Sequence, residues 1–405
     1  MTTPRLRIKK RDQQRLRDGH LWVYSNEVDT DVTPLKNIKT ALVHLEDYRG
    51  NFLATASFNN QALICARILD TEPRDVLDAA FFEKRIQTAL ELRQIAFKQD
   101  FYRLVYGEGD LLSGLVIDRF AQTFVVQIGT QAIEQAKDAL VAALQKIFGA
   151  TAIIVFKNDG KGRSMEQLDE YVETVPADAN VTELEVIENG VSFKAPLDGQ
   201  KTGWFYDHRD GRKWLNDCAQ GRTVLDVFSY IGGWGIQAAA HGATQVTCVD
   251  SSVKAGESVL ANAALNKQLN PKAEVTFVES DAFEYFKKTV STTYDLVVLD
   301  PPALIQKRRD FEQGRQAYFL LNEGAIQRVK DGGLLVSASC SLHLDRDELI
   351  RIVQQVARRQ NKHVQMVHEA HPAADHPRLI PMTESDYLKC LVFRVTALPE
   401  VAAKH

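Results

Sequence analysis

Between Thr223 and Arg359, short apolar runs alternate with longer amphipathic ones, and this alternation narrows the possible folds more than any other feature of the chain. Strand-like segments at 223–228, 245–250, 274–279, 295–300 and 333–339 are separated by helix-like segments at 234–241, 253–268, 282–289, 315–330 and 345–359. Near-continuous aliphatic runs mark strands covered on both faces, and a helix between successive strands makes them parallel. The pattern predicts a doubly wound α/β sheet. Such sheets bind ligands outside the carboxyl ends of their strands.

The first part of the chain has a different rhythm. Leu21–Tyr24, Ala41–Leu45, Phe52–Ala56 and Leu63–Leu69 are short β segments separated by turn formers such as Ser25-Asn26 and Arg49-Gly50-Asn51, which suits a small barrel or sandwich over residues 1–76. From Asp78 to about Lys98, Phe81, Phe82, Ile86, Leu90 and Ile95 recur at helical spacing. A β-meander through residues 102–128 and a helix over Ile133–Phe148 complete a middle α+β module, 77–182. The polar, Gly- and Pro-bearing stretches at 158–164 and 175–180 read as linkers. Asn189-Gly190 between alternating apolar residues is a hairpin signal that opens the last module, 183–405. Near the end, Tyr387–Val395 reads as a closing antiparallel strand.

Composition excludes several classes. With 45% hydrophobic and 25% charged residues among 405, the chain is ordinary globular material, and it has no eighteen-residue apolar run and no secretory signal. A cytoplasmic protein without membrane association is expected. Five scattered cysteines without a Cys-x-x-Cys pair argue against a disulfide framework or zinc knuckle. His371-Pro-Ala-Ala-Asp-His376 lacks a third nearby ligand and is expected to be a structured loop overhanging the sheet rim, not a metal site. A net charge of −4 gives no global attraction to nucleic acid, so RNA binding has to come from local patches, such as Arg5, Arg7, Lys9, Lys10, Arg11, Arg15 and Arg17.

The carboxyl ends of the first three predicted sheet strands carry acids. Asp226 precedes a loop holding Phe228, Ser229, Tyr230 and Gly232, Asp250 precedes Ser251, and Asp281 precedes Ala282. Gly232, Gly233 and Gly235 let backbone approach a ligand at a helix start, but their spacing is not that of a dinucleotide site. Acids on three successive strand ends would repel phosphate and suit a nucleoside without one. S-adenosylmethionine is such a ligand, with Asp250 placed for ribose hydroxyls and the Asp281 region for the adenine amine.

The next two strand ends carry the candidate chemistry. Asp300-Pro301-Pro302 is a turn of fixed shape, and Cys340 lies between Ser339 and Ser341 at the end of the neighbouring strand. A thiolate adding to carbon 6 of a pyrimidine makes carbon 5 nucleophilic enough to accept a methyl group, and Asp300 is suited to assist at ring nitrogen 3. Cys65, Cys248 and Cys390 read as core residues, and Cys218 as a surface one. A purine-nitrogen or uracil methyltransferase, and an inactive RNA-binding assembly factor, remain alternatives at this stage.

The segments Gly199–Arg212, Val224–Gly233, Leu299–Pro302 and Ser339–Ser341 resemble the bacterial 23S ribosomal RNA large subunit methyltransferase I family over nearly the whole chain. The resemblance implies an N-terminal PUA domain, a middle α+β domain and a C-terminal Rossmann-like class I methyltransferase sheet. It also implies 5-methylcytosine formation in 23S ribosomal RNA or a large-subunit precursor, with Cys340 and Asp300 as catalytic residues. Gln200, Lys201, Thr202 and Gly203 fall on the family segment that closes over the methionine end of the cofactor. Arg209 and Arg212 then meet a cofactor carboxylate or RNA phosphate, or pair with Asp207 and Asp210. Gly19–Asn26, with His20 and Trp22, matches the opening of the PUA module and makes the basic run an expected RNA surface. Relatives usually carry Lys or Arg where this chain has Ala303, so that contact is missing or comes from Lys307, Arg308 or Arg309. A homodimer is left open.

Overall fold

The computed structural model describes residues 3–199 and 202–398, which form two compact units. The first runs to Leu184 and includes Pro196–Tyr206 and Ala374–Asp386; the second comprises Glu185–Ala195, Asp207–Ala373 and the chain from Tyr387 onward. Among the described residues, no helix is long and apolar enough to cross a membrane.

The first unit holds two five-stranded sheets. One contains β1 (Arg5–Arg7), β2 (Trp22–Tyr24), β3 (Leu42–Glu46), β4 (Phe52–Phe58) and β5 (Ile64–Asp70) in the order β1-β3-β4-β5-β2. Leu6, Ile8, Val23, Val43, Leu45, Ala56 and Phe58 form its core. The other contains β6 (Phe101–Tyr106), β7 (Leu115–Phe120), β8 (Thr123–Ile128), β9 (Ile153–Asn158) and β10 (Tyr171–Val175), ordered β10-β9-β8-β7-β6. The sequence pattern does not reveal β9 and β10, and β10 lies between the two stretches that read as linkers, ending where the second begins. Lys137–Phe148 is the helical crossover that makes β8 and β9 parallel.

The helix Ala79–Ala96 starts at Asp78, whose side chain accepts from the Phe81 N–H. It buries Phe81, Phe82, Ile86 and Leu90 as their spacing requires, but Ile95 is 85% exposed. Arg93 is buried on that helix instead, with its guanidinium paired to both oxygens of Asp110 at 2.7 Å. A periodicity count treats Arg as polar and cannot see this pairing. Arg93 also donates to the Asp375 carbonyl, and the Arg103 N–H donates to the Asp375 carboxylate. The segment expected to overhang the rim of the α/β sheet is therefore anchored, at Asp375, within the first unit.

In the second unit, β11 (Glu183–Glu188) and β12 (Val191–Pro196) form the expected hairpin, with Asn189 and Gly190 at φ 52° and 82°, as a tight turn of this hand demands. The main sheet contains β13 (Thr223–Val227), β14 (Gln245–Asp250), β15 (Glu274–Glu279), β16 (Tyr294–Leu299), β17 (Val329–Ser339), β18 (Lys362–Ala370) and β19 (Lys389–Ala397). Their order is β15-β14-β13-β16-β17-β19-β18, and only β19 runs antiparallel to its neighbours. Strand order reverses at β13, so the carboxyl ends of β13 and its neighbours flank the switch-point crevice.

Candidate active site

The rim of the second unit's sheet is built from five strand ends. Asp226 on β13 is completely buried. Its Oδ2 accepts from the Gly235 N–H at 2.8 Å, while Oδ1 has no hydrogen-bond partner among the described residues. Burial pushes its carboxyl up to about 7; the Gly235 N–H opposes the shift and the Asp300 charge adds to it. A Cβ on Gly235 would lie 2.7 Å from Cys248 Sγ and 3.1 Å from Asp226 Oδ2, so only glycine lets the helix start against this carboxylate.

The loop after β13 is unusual. Phe228 and Tyr230 have φ of 65° and 49°, a region most side chains avoid, and Gly232 has φ 88°. Asp250 stabilises it, because its carboxylate accepts from the Tyr230 N–H at 2.9 Å and the Ser252 N–H at 3.0 Å. Ser229 is buried with its N–H on the Val249 carbonyl, and Ser251 is exposed. Asp281 caps the helix that opens with the buried Ala282, accepting through Oδ1 from the Phe283 and Glu284 N–H groups. Asp250 and Asp281 thus have structural duties besides any ligand contact. Buried Asp226 Oδ1, without a partner among the described residues, is open to a donor from a ligand. A cationic nucleoside such as S-adenosylmethionine supplies one and brings no phosphate, so the residues fit this cofactor.

Asp300, just past β16, is held by two rings. Trp234 Nε1 donates to Oδ2 at 3.0 Å, and His208 Nε2 lies 3.0 Å from Oδ1. Burial alone would push the Asp300 carboxyl up, but the His208 and Trp234 donors overcome it and hold the carboxyl below its ordinary value. His208 shows the reverse balance: burial disfavours its charged form, and Asp300 more than offsets that, leaving it well above the usual imidazole value. Nothing in the periodicity of the sequence marks His208, although it lies in the motif-bearing segment before the sheet.

Cys340 follows β17 and is half-buried. Its flanking serines share one partner, with the Tyr318 hydroxyl 2.8 Å from Ser339 Oγ and 2.9 Å from Ser341 Oγ. The Ile305 N–H, from the loop that starts at Asp300, donates to Ser341 Oγ at 3.1 Å. Lys389 Nζ donates to the Ser341 carbonyl at 2.6 Å, and Lys389 also faces Ser339 across the β17–β19 ladder. The two rim turns are therefore tied together, with the buried Lys389 bonded to the thiol-bearing one. Cys65, Cys248 and Cys390 are buried as expected, and burial pushes the Cys65 thiol up to about 12. Cys218 is half-buried.

Arg212 donates to Glu188 Oε1 at 2.6 Å and Arg209 lies 3.6 Å from Oε2, so both arginines converge on a buried carboxylate of the hairpin. In the basic run, Arg5 and Arg7 pair with Glu46, Arg11 with Asp12, Arg15 with Glu27 and Arg17 with Asp47. Lys9 Nζ donates to the Asn26 carbonyl. His20 is buried and lies 3.7 Å from Glu384, and Trp22 Nε1 donates to Glu108. Lys10 and Arg11 stay exposed. Lys307, Arg308 and Arg309 after the Asp-Pro-Pro turn are also exposed. Thr202 is buried in the first unit with its hydroxyl on the Trp204 carbonyl, while Gln200 and Lys201 lie outside the described residues. Among the described residues no cluster of three His, Cys, Asp or Glu could hold a metal ion.

Fold and rim together define a class I, S-adenosylmethionine-dependent methyltransferase. The family model for S-adenosylmethionine-dependent methyltransferases matches residues 118–394, and the PUA-like domain model matches residues 6–71. The chain is 32% identical over 391 residues to the Ribosomal RNA large subunit methyltransferase I of Cronobacter sakazakii, covering 95% of this chain and 98% of that relative. It is also 32% identical over 414 residues to the Ribosomal RNA large subunit methyltransferase of Deinococcus radiodurans, covering 96% and 97%. It belongs to the ribosomal RNA large subunit methyltransferase I family. A solved SAM-dependent methyltransferase structure from Streptococcus mutans shares the fold, with a TM-score of 0.81 at 22% identity over 97% of this chain and all of the other.

Proposed function

We propose that the chain methylates carbon 5 of a cytosine in 23S ribosomal RNA, or in a large-subunit precursor, through a covalent adduct of Cys340 at ring carbon 6. The observation that carries this reading is the link between the two rim turns: Ile305, Tyr318 and both serines hold the Cys340 turn against the loop that begins at Asp300. A thiol serving only as core filling would need no such polar frame. The names of the relatives support RNA of the large ribosomal subunit as substrate.

The target base has to leave its stack to reach a rim of this kind. Cys340 then forms the Sγ–C6 bond, the C5=C6 electron pair shifts toward nitrogen 3, and that nitrogen takes the proton the thiol relinquishes. Lys389, through its hydrogen bond to the Ser341 carbonyl, holds the thiol-bearing turn in place. S-adenosylmethionine supplies the methyl group as a sulfonium, and carbon 5 accepts it. Loss of the carbon 5 proton to a base and expulsion of Cys340 restore the aromatic ring. Cytosine and cofactor become 5-methylcytosine, S-adenosylhomocysteine and one proton.

The test is to incubate the protein with ribosomal RNA from a strain lacking the modification and to analyse the nucleosides by mass spectrometry. 5-Methylcytosine is the expected product, and Cys340→Ala should reduce it to background. A methylated purine nitrogen or 5-methyluridine would overturn the cytosine assignment, and an active Cys340→Ala enzyme would remove the adduct.

A further inference from the structure

His208 takes no part in the steps above, yet it is buried and lies against Asp300. A carboxylate oxygen only accepts, so Nε2 must carry the proton in either charge state of the ring. Trp234, whose ring is 5.4 Å from that of His208, supplies the second donor, to the other Asp300 oxygen. Two rigid rings therefore fix the plane of the carboxylate, and the Asp300 side chain remains 21% exposed. Cys390 on β19 and Asp207 on its own segment also act on His208, and Arg212 on the helix Arg209–Asp217 acts on Asp207 and Asp300; Asp207 accepts from the Tyr387 hydroxyl at 2.6 Å.

We infer that His208 is a positioning and specificity-determining residue: with Trp234 it presents Asp300 as an acceptor-only carboxylate, which takes the amino-bearing edge of cytosine and turns away the O4 edge of uracil. The inference rests on the cytosine reading given above. Cytosine offers its exocyclic amine as a donor, and once the adduct forms, protonated nitrogen 3 offers a second donor beside it. Two parallel donors then meet two oxygens, a match tighter in the adduct than in the ground state. Uracil offers one donor and sets an acceptor oxygen against the negative charge. The depressed Asp300 carboxyl and the elevated His208 imidazole agree with this arrangement.

The experiment compares the full-length protein with His208→Ala, His208→Gln and Trp234→Phe on RNA carrying C or U at the mapped position. It reads kcat and KM against pH, with cofactor affinity by calorimetry as the check of folding. In His208→Ala, kcat on cytosine should fall roughly 10²-fold, and the preference for C over U should shrink. Without its partner the Asp300 carboxyl rises, so the acid limb of the profile should move to higher pH. His208→Gln, which restores an N–H donor, should recover most of the loss. An unmoved acid limb and an unchanged C-to-U ratio in a cofactor-binding His208→Ala protein would overturn the inference while leaving the cytosine reading intact. If His208→Ala does not fold, Trp234→Phe decides, since it should move the limb in the same direction and an unmoved limb there counts against the inference. A wild-type product other than 5-methylcytosine would sink both.

Discussion

At the scale of single residues, Asp226 is a carboxyl taken wholly out of water. Its carboxyl, near 7 when folded, lies far above the value of about 3.9 for an exposed aspartate. The sign follows from linkage: the folded state holds its proton more tightly, so this contribution favours folding below pH 4 and is lost as pH rises through 7. Removing the penalty in Asp226→Asn should flatten the pH dependence of cofactor-free stability between pH 4 and 7, by on the order of 4 kcal/mol. A donor from the cofactor reverses the balance. Cofactor affinity should therefore strengthen as pH rises towards 7, by up to about tenfold per pH unit, and level off above it, and Asp226→Asn should lose that slope in calorimetry. Asp226 and Cys340 were legible in the sequence because each ends a recognisable strand. His208, Tyr318 and Lys389 were not, because their partners are brought to them from distant segments.

At the scale of elements, the hairpin β11–β12 is joined to the helices after it by one buried charge. Glu188 accepts from Arg212 and from Gln237 Nε2, and Gln237 Oε1 accepts in turn from Asn189 and Asn216. Removing one member of such a network strands the opposite charge in a low-dielectric interior. Glu188→Ala should cost about 3–5 kcal/mol by urea denaturation, whereas surface carboxylates such as Glu284, paired only with exposed Lys287, should cost little. The hairpin could be read from Asn189-Gly190 alone, since the turn dictates its residues. Its buried carboxylate could not, since the two arginines that neutralise it are 21 and 24 positions away.

At the scale of the whole molecule, a net charge of −4 leaves RNA association to local contacts. The basic run looks in sequence like a cationic patch, but Glu46 at the end of β3, Asp47 just after it and Glu27 in the turn after β2 neutralise most of it. The pair Lys10 and Arg11 is proposed to carry the phosphate contacts there. Replacing both with Ala should weaken RNA binding and lower the log–log salt slope by roughly 1.5, with cofactor affinity as in the wild type; an unchanged slope would place the RNA elsewhere. What the sequence determined by itself is the local grammar: the alternation that gives a doubly wound sheet, the hairpin, the acids on its first three strand ends, and a thiol one strand beyond an Asp-Pro-Pro turn. Hydrophobic period and turn chemistry act over a few neighbouring residues, so one sequence suffices to read them. Only tertiary structure decided which charges cancel, that the segment around Asp375 belongs to the first unit, and that His208 and Trp234 close on Asp300. Those outcomes depend on polar groups far apart in the chain, whose partners are chosen by packing and by the cost of leaving a buried charge unpaired.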